Sequence, residues 1–224
     1  RNTHYDLNKA IHYLTLSANN NFVLAQRVLG EIYISRDINK SIYYFSLASN
    51  QNDDMAQFNL GKIYYEGLRV VCDINKAIHY FLLSADNNND RAQYCLGLIY
   101  YYDDMQKAMH YLTLSANQNN SYAQYNLGII FFNEKDIKKS LQYLIKSADN
   151  YNSDAEYFLS LLYQGGYYVN QDMDKAIHYY KMSAIHDNSK GQYNLGMLYL
   201  KGQYVKRDIK MGIELLTKSS KNGN

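Results

Sequence analysis

The chain has 224 residues, of which 23 are basic, 21 acidic, 6 His and 2 Cys, with no Pro and no Trp. Charge this close to balance carries no electrostatic footprint for nucleic acid, no run of about 18 apolar residues is present to span a membrane, and two cysteines are too few for a disulfide framework. Length alone fits one or two globular domains, but internal repetition argues for a single elongated one over residues 1–224.

In chain order, the first recurring phrase is DLNKAIHYLTLSA, Asp6 to Ala18, and it returns from Asp37, Asp73, Asp104, Asp136, Asp172 and Asp208. Counting the Asp as zero, apolar or small residues fall at +1, +4, +5, +8 and +12, as in Ile74, Ala77, Ile78, Phe81 and Ala85. That spacing is one face of a helix, here termed helix B. Each Asp is placed to accept a backbone N–H as N-cap and to meet the positive end of the helix dipole. The +4 residue is Ala10, Ser41, Ala77, Ala108, Ser140, Ala176 or Gly212, small enough for close approach of two helix backbones.

A second phrase, AQxxLGxIY, alternates with the first at Ala25–Tyr33, Ala56–Tyr64, Ala92–Tyr100, Ala123–Phe131, Ala155–Tyr163 and Gly191–Tyr199. This is helix A. Gly30, Gly61, Gly97, Gly128 and Gly196 sit at its middle, where Gly costs about 1 kcal/mol relative to Ala. Close packing on the small residues of helix B is the expected reason. Ser160 replaces the Gly once, and looser packing is expected there.

Spacing between B phrases is 31, 36, 31, 32, 36 and 36 residues. From the end of each B phrase to the next A phrase it is always seven, whereas the A-to-B distance varies from 12 to 17. The connection between hairpins is therefore fixed, and the loop within a hairpin tolerates insertion. Its long forms contain Gly67, Gly165 and Gly166, or Gly202. Fifteen residues after the Asp stand Asn21, Asn52, Asn88, Asn119, Tyr151, Asp187 and Gly223. Asn is second to Gly for the left-handed conformation that ends a helix, so the Asn clusters read as C-caps. Tyr151 breaks the pattern, and Asn150 or Asn152 is expected to serve in its place.

The order AQ-x-x-LG-x-x-Y, an optional Gly-containing loop, then D-x-x-KA-x-x-Y-x-x-x-A resembles the Sel-one-like repeats (SLR), relatives of the tetratricopeptide repeats. Ala56 to Ala85, AQFNLGKIYYEGLRVVCDINKAIHYFLLSA, matches a whole unit. The resemblance implies an all-α fold, an α/α superhelical solenoid of antiparallel helix pairs. It has a leading B helix at 6–18 and units starting at about 25, 56, 92, 123, 155 and 191. It also implies a noncatalytic scaffold or adaptor that binds a protein or peptide. The tetratricopeptide likeness places positions six, nine and ten of helix A on a concave wall. Tyr65, Leu98, Tyr101, Tyr102, Ile129, Phe132, Met197 and Leu200 form an apolar band there as candidate partner contacts, with packing in the core as the alternative.

No candidate for chemistry emerges. His12, His79, His110 and His178 share the +6 position of helix B, but helices pack about 8 to 10 Å apart, too far for two of them to ligate one ion at about 2 Å each. They read as solvent-facing. Tyr13, Tyr44, Tyr80, Tyr111, Tyr143 and Tyr179 at +7 are expected to fill the space between adjacent hairpins, and Tyr94, Tyr125, Tyr157 and Tyr193 to pack between repeats. No nucleophile with a base, phosphate loop or HExxH motif is present, so neither cofactor, metal nor small-molecule substrate is expected. Two rival readings are weaker. Hydrolysis, suggested by cysteine-rich relatives of the family, would want paired cysteines in each unit, whereas Cys72 and Cys95 stand at unrelated positions. Base-by-base RNA reading would want a basic, polar groove. Reduced thiols favour the cytoplasm, with the compartment otherwise open. The leading B phrase lacks an A partner, so further units or a capping helix are expected beyond this stretch.

Overall fold

The computed structural model describes residues 3–223, with side chains from residue 6 onward. Among the described residues there are thirteen α-helices and no strand. They are α1 (Thr3–Asn19), α2 (Val23–Tyr33), α3 (Ile38–Asn50), α4 (Asp54–Glu66), α5 (Ile74–Asp86), α6 (Asp90–Tyr100) and α7 (Met105–Asn117). Then follow α8 (Ser121–Asn133), α9 (Ile137–Asp149), α10 (Ser153–Gly165), α11 (Met173–Ile185), α12 (Ser189–Lys201) and α13 (Ile209–Lys221). The chain divides into two compact units, Arg1–Tyr111 and Leu112–Asn224. In the first, α2 pairs with α3 and α4 with α5; in the second, α8 pairs with α9, α10 with α11 and α12 with α13. Odd-numbered helices are the B helices and even-numbered the A helices.

The Asp that opens each B phrase caps its helix. Asp37 accepts from the backbone N–H of Asn39 and Lys40, and Asp73, Asp104, Asp136, Asp172 and Asp208 from the N–H three residues on, at 2.9 to 3.1 Å. Those backbone bonds are the main reason that the carboxyls of Asp104, Asp136 and Asp172 are held below the usual carboxylate range. Asp6 departs from the expectation. Helix α1 already runs from Thr3, so Asp6 lies within its first turn and is not the cap. The +1 position departs too: Ile38 is buried, but Ile74, Met105 and Ile209 at the start of α5, α7 and α13 are exposed, after long and short loops alike.

Three hairpins close on a meeting of glycine and a bulky side chain. A Cβ on Gly30 would fall 2.5 Å from the Phe45 ring, one on Gly61 2.6 Å from Phe81, and one on Gly128 2.7 Å from Leu144. The partner of the A glycine is thus the buried +8 residue of helix B. The small +4 residue contributes a hydrogen bond instead, where it is Ser. The Ser41 hydroxyl donates to the Gly30 carbonyl at 2.7 Å and Ser140 to that of Gly128 at 2.8 Å. In α12–α13 small residues meet backbone to backbone, with the Gly212 carbonyl 3.1 Å from a Cβ on Gly196. The expected slackness at Ser160 is absent. Ser160 and the +8 residue Tyr180 are both fully buried, and Tyr180 donates its hydroxyl to Gln164 Oε1 at 2.5 Å.

The fixed connection is three residues long wherever it occurs: 20–22, 51–53, 87–89, 118–120, 150–152 and 186–188. The middle residue is left-handed in every case, with φ of 61° at Asn21, 65° at Asn52, 63° at Asn88, 65° at Asn119, 60° at Tyr151 and 59° at Asp187. Tyr151 therefore adopts the conformation itself, and neither neighbouring Asn takes over. The third residue does double duty. Its N–H bonds back five residues to the end of the B helix, as Asn89 does to Ser84 O at 3.1 Å, while its side chain caps the next A helix, as Asn89 Oδ1 accepts from Ala92 N at 3.0 Å. Asp53, Asn120, Asn152 and Asn188 cap in the same way, so each A helix begins two residues before its phrase. Phe22 has no side chain able to do so.

The variable loop is also tied, at its mouth. The N–H of the capping Asp donates to the carbonyl of the last aromatic of the A phrase in all six cases: Asp37 to Tyr33, Asp73 to Tyr64, Asp104 to Tyr100, Asp136 to Phe131, Asp172 to Tyr163 and Asp208 to Tyr199, at 2.8 to 3.1 Å. Loops of three residues (134–136) and seven (67–73) end on the same bond.

Three substitutions probe this geometry. Gly61→Ala is expected to cost about 1–3 kcal/mol in urea unfolding, because the Phe81 ring is already in contact. At the connection, Asn119→Ala should lose about 1 kcal/mol and Tyr151→Asn should gain about 0.5 kcal/mol, since a bulky residue at positive φ is strained.

Candidate functional site

The aromatic residues at +7 of helix B stack within their own hairpins. Tyr33 lies parallel to Tyr44, Tyr64 to Tyr80, Tyr100 to Tyr111, Phe131 to Tyr143 and Tyr163 to Tyr179, with centroids 5.6 to 6.0 Å apart. Tyr111 and Tyr179 also lie near Asp86 and Asp149 of the preceding B helix, so the tyrosines pair within a hairpin as well as reaching toward its neighbour. The +3 lysine of helix B covers the outer ring of each pair at 5.0 to 5.2 Å: Lys40, Lys76, Lys107, Lys139 and Lys175. His12, His79, His110 and His178 are exposed, as read from the sequence, and each sets its ring edge against the next tyrosine. Among the described residues no three His, Cys, Asp or Glu side chains gather to hold a metal. Cys72 and Cys95 are free, and burial pushes the Cys95 thiol up to about 11.

The candidate contact residues fall into the two units. In the first, Tyr65 and Leu98 are partly exposed, Tyr102 is 91% exposed, and Tyr101 stands edge-on to Tyr102 at 5.0 Å. In the second, Ile129 and Phe132 lean on the core of Leu144, Leu159 and Leu162, while Met197 and Leu200 are half-buried. Phe132 is met edge-on by Phe158 at 5.1 Å and by Tyr168 at 4.9 Å. Together with Leu161, Leu162 and Tyr167 these rings line an apolar cleft of about 200 Å³. Phe158, Tyr167 and Tyr168 were not among the sequence candidates. Tyr167 and Tyr168 come from the long α10–α11 loop, which the repeat register does not reach.

A polar seam escaped the sequence reading as well. The Gln of each AQ or GQ pair is buried, and Gln26, Gln57, Gln124 and Gln192 each span two neighbours. Gln26 Nε2 donates to Ala18 O of the preceding B helix at 3.1 Å, and its Oε1 accepts from Gln51 at the end of its own B helix at 2.8 Å. Gln57, Gln124 and Gln192 repeat both bonds, with Asn87, Asn150 and Asn222 as donors. Ser84, Ser147, Ser183 and Ser219, at +11 of helix B, are buried and donate to a carbonyl in the first turn of the A helix. One repeat differs. Glu156 takes the Gln position, 1% exposed, and His186 the donor position, its Nδ1 at 2.8 and 2.9 Å from the two carboxylate oxygens. Burial pushes the Glu156 carboxyl above the usual carboxylate range, against the pull of His186.

One helical hairpin reiterated in this way defines an α/α repeat protein. The chain belongs to the Sel1 repeat family, whose repeat matches residues 4–22, 24–53, 54–89, 90–120, 121–152, 153–188 and 189–224. Proteins of this kind are typically protein-interaction scaffolds and generally noncatalytic. No curated protein matches the chain in sequence. Among solved structures it is similar to a Sel1 repeat protein from Oxalobacter formigenes, 26% identical with a TM-score of 0.86 over 97% of this chain and 96% of that one. It is also similar to a protective antigen of uropathogenic Escherichia coli strains that displays an SLR fold, 26% identical with a TM-score of 0.79. That match covers 96% of this chain and 52% of the antigen, so the chain spans about half the antigen's length. An immunity protein from Pseudomonas aeruginosa shares the fold alone, at 17% identity and a TM-score of 0.61 over 84% of this chain and 74% of that one. Among the described residues no helix is long and apolar enough to cross a membrane.

The placement separates core from surface. Phe132→Ala should destabilise by about 2 kcal/mol in urea unfolding, as a half-buried ring on a core, whereas Tyr102→Ala should stay within about 0.5 kcal/mol of the wild type.

Proposed function

We propose that this chain is a noncatalytic scaffold or adaptor that captures a peptide or protein surface through positions six, nine and ten of its A helices. The observation that carries the reading is the apolar cleft around Phe132, Phe158, Leu161 and Tyr168, open beside the 90% exposed ring of Tyr167. Exposed aromatic and aliphatic side chains gathered around a recess offer the pocket that an apolar anchor residue fills, and such anchors dominate the binding energy of protein interfaces. In the first unit Leu98, Tyr101 and Tyr102 supply a second group of exposed or half-exposed apolar contacts. The scaffold role usual for the Sel1 repeat family supports the same reading.

Selection of a displayed random peptide library on the purified chain tests this. Enriched peptides are expected to carry an aromatic or aliphatic anchor and to lose at least about tenfold in affinity, the equivalent of 1.4 kcal/mol, in a Leu161→Ser, Tyr168→Ala variant or in a Leu98→Ser, Tyr102→Ala variant. Failure of any peptide to enrich, or binding indifferent to both variants, rejects this face as the capture site.

A further inference from the structure

We infer that the Glu156–His186 pair is a pH-sensitive latch holding the end of α11 onto α10, tight while the imidazole is protonated and weakened once that proton is lost. The other repeats of the same molecule supply the contrast. At the equivalent place, Gln26, Gln57, Gln124 and Gln192 accept from an amide, a contact that carries no ionisable group. Here alone among these five the acceptor is a carboxylate and the donor an imidazole. The exchange also removes a bond. Gln26 and its counterparts donate to the preceding B helix, whereas both Glu156 oxygens are turned to His186, and the Ala148 carbonyl is left to the backbone N–H groups of Asn150 and Tyr151.

The carboxylate is buried and His186 Nδ1 is its hydrogen-bond partner in the described structure, so its charge is balanced when the ring is cationic. Imidazoles change charge at about pH 6–7, and loss of the cation leaves a buried anion facing a neutral donor. The surroundings supply little replacement. On α11, His178 and Tyr179 face Glu156 across the helix pair. On α9, Asp149 acts on Tyr179, and in the connection Tyr151 sets its ring edge-on to His186 at 5.4 Å. On α10 itself Asp154 is taken by Asn188, on the far side Asp187 binds Gln192, and Lys190 of α12 lies over Tyr157. The Glu156 carboxyl titrates higher in the folded than in the unfolded chain, so it lends stability that is lost as pH rises through its folded value, the same direction as the loss of its cationic partner.

Urea unfolding of the whole chain between pH 6 and pH 8 tests the latch, with Glu156→Gln, His186→Asn restoring the amide pair as reference. The wild-type unfolding constant should rise about tenfold more over that interval than the reference, the equivalent of about 1.4 kcal/mol. Hydrogen-exchange protection should fall selectively in 153–188. Should the double variant not fold, His186→Gln, which keeps a donor but no imidazole while Glu156 stays, serves as reference with a difference of the same sign expected. Parallel pH profiles, or a wild type that gains stability relative to the reference as pH rises, overturn the inference.

Discussion

The three-residue connection is the constraint on which the repeat depends. A helix ends with carbonyls lacking partners and the next begins with N–H groups lacking partners. Here one left-handed residue and one capping residue satisfy both sets within a single turn. A shorter link could not reverse the chain, and a longer one would free the angle at which the next helix leaves. Because the left-handed residue stands at the same place each time, consecutive hairpins inherit the same local geometry from the backbone before any side chain packs.

Side chains then divide the work between an apolar and a polar seam. Within a hairpin, glycine on one helix admits the Phe45, Phe81 or Leu144 side chain of the other, and the +4 serine or alanine keeps the backbones near. Between successive helices, buried glutamines reach backward with the amide nitrogen and forward with the oxygen. Polar residues in such positions cost free energy unless every group is satisfied, and here each is. They favour one register between neighbours over a slide of equally greasy faces. The hairpin of α10 and α11 keeps this plan while changing five of its parts: Tyr151, Glu156, Ser160, Tyr180 and His186.

What could be read from sequence alone was whatever repeats in register and obeys backbone physics. The capping aspartates from Asp37 onward, the left-handed Asn positions and the exposed histidines all follow from a local rule applied at a fixed spacing. Asp6 escaped because the rule is blind to residues preceding the first phrase, and Tyr151 because the backbone there overrides side-chain preference. The buried Gln and Ser residues were invisible to a hydrophobic pattern, which counts polar as outward. The candidate contact positions were legible as a set, yet their exposure is set by loops. Tyr168 reaches Phe132 only because the α10–α11 loop is long, and loop residues have no counterpart one repeat away. Whether Leu98 or Ile129 faces solvent could not be settled by spacing for the same reason.

The hydrogen bond from each capping Asp to the aromatic carbonyl across the loop mouth has an architectural outcome. It makes every A-to-B loop a sealed bight, whose contents can grow or shrink without shifting either helix it joins. Novelty can therefore accumulate in the loop of a hairpin while the packing of its two helices stays as it was. Sequence added between Leu68 and Cys72, or between Tyr167 and Gln171, would be carried as cargo on a frame that does not register its size.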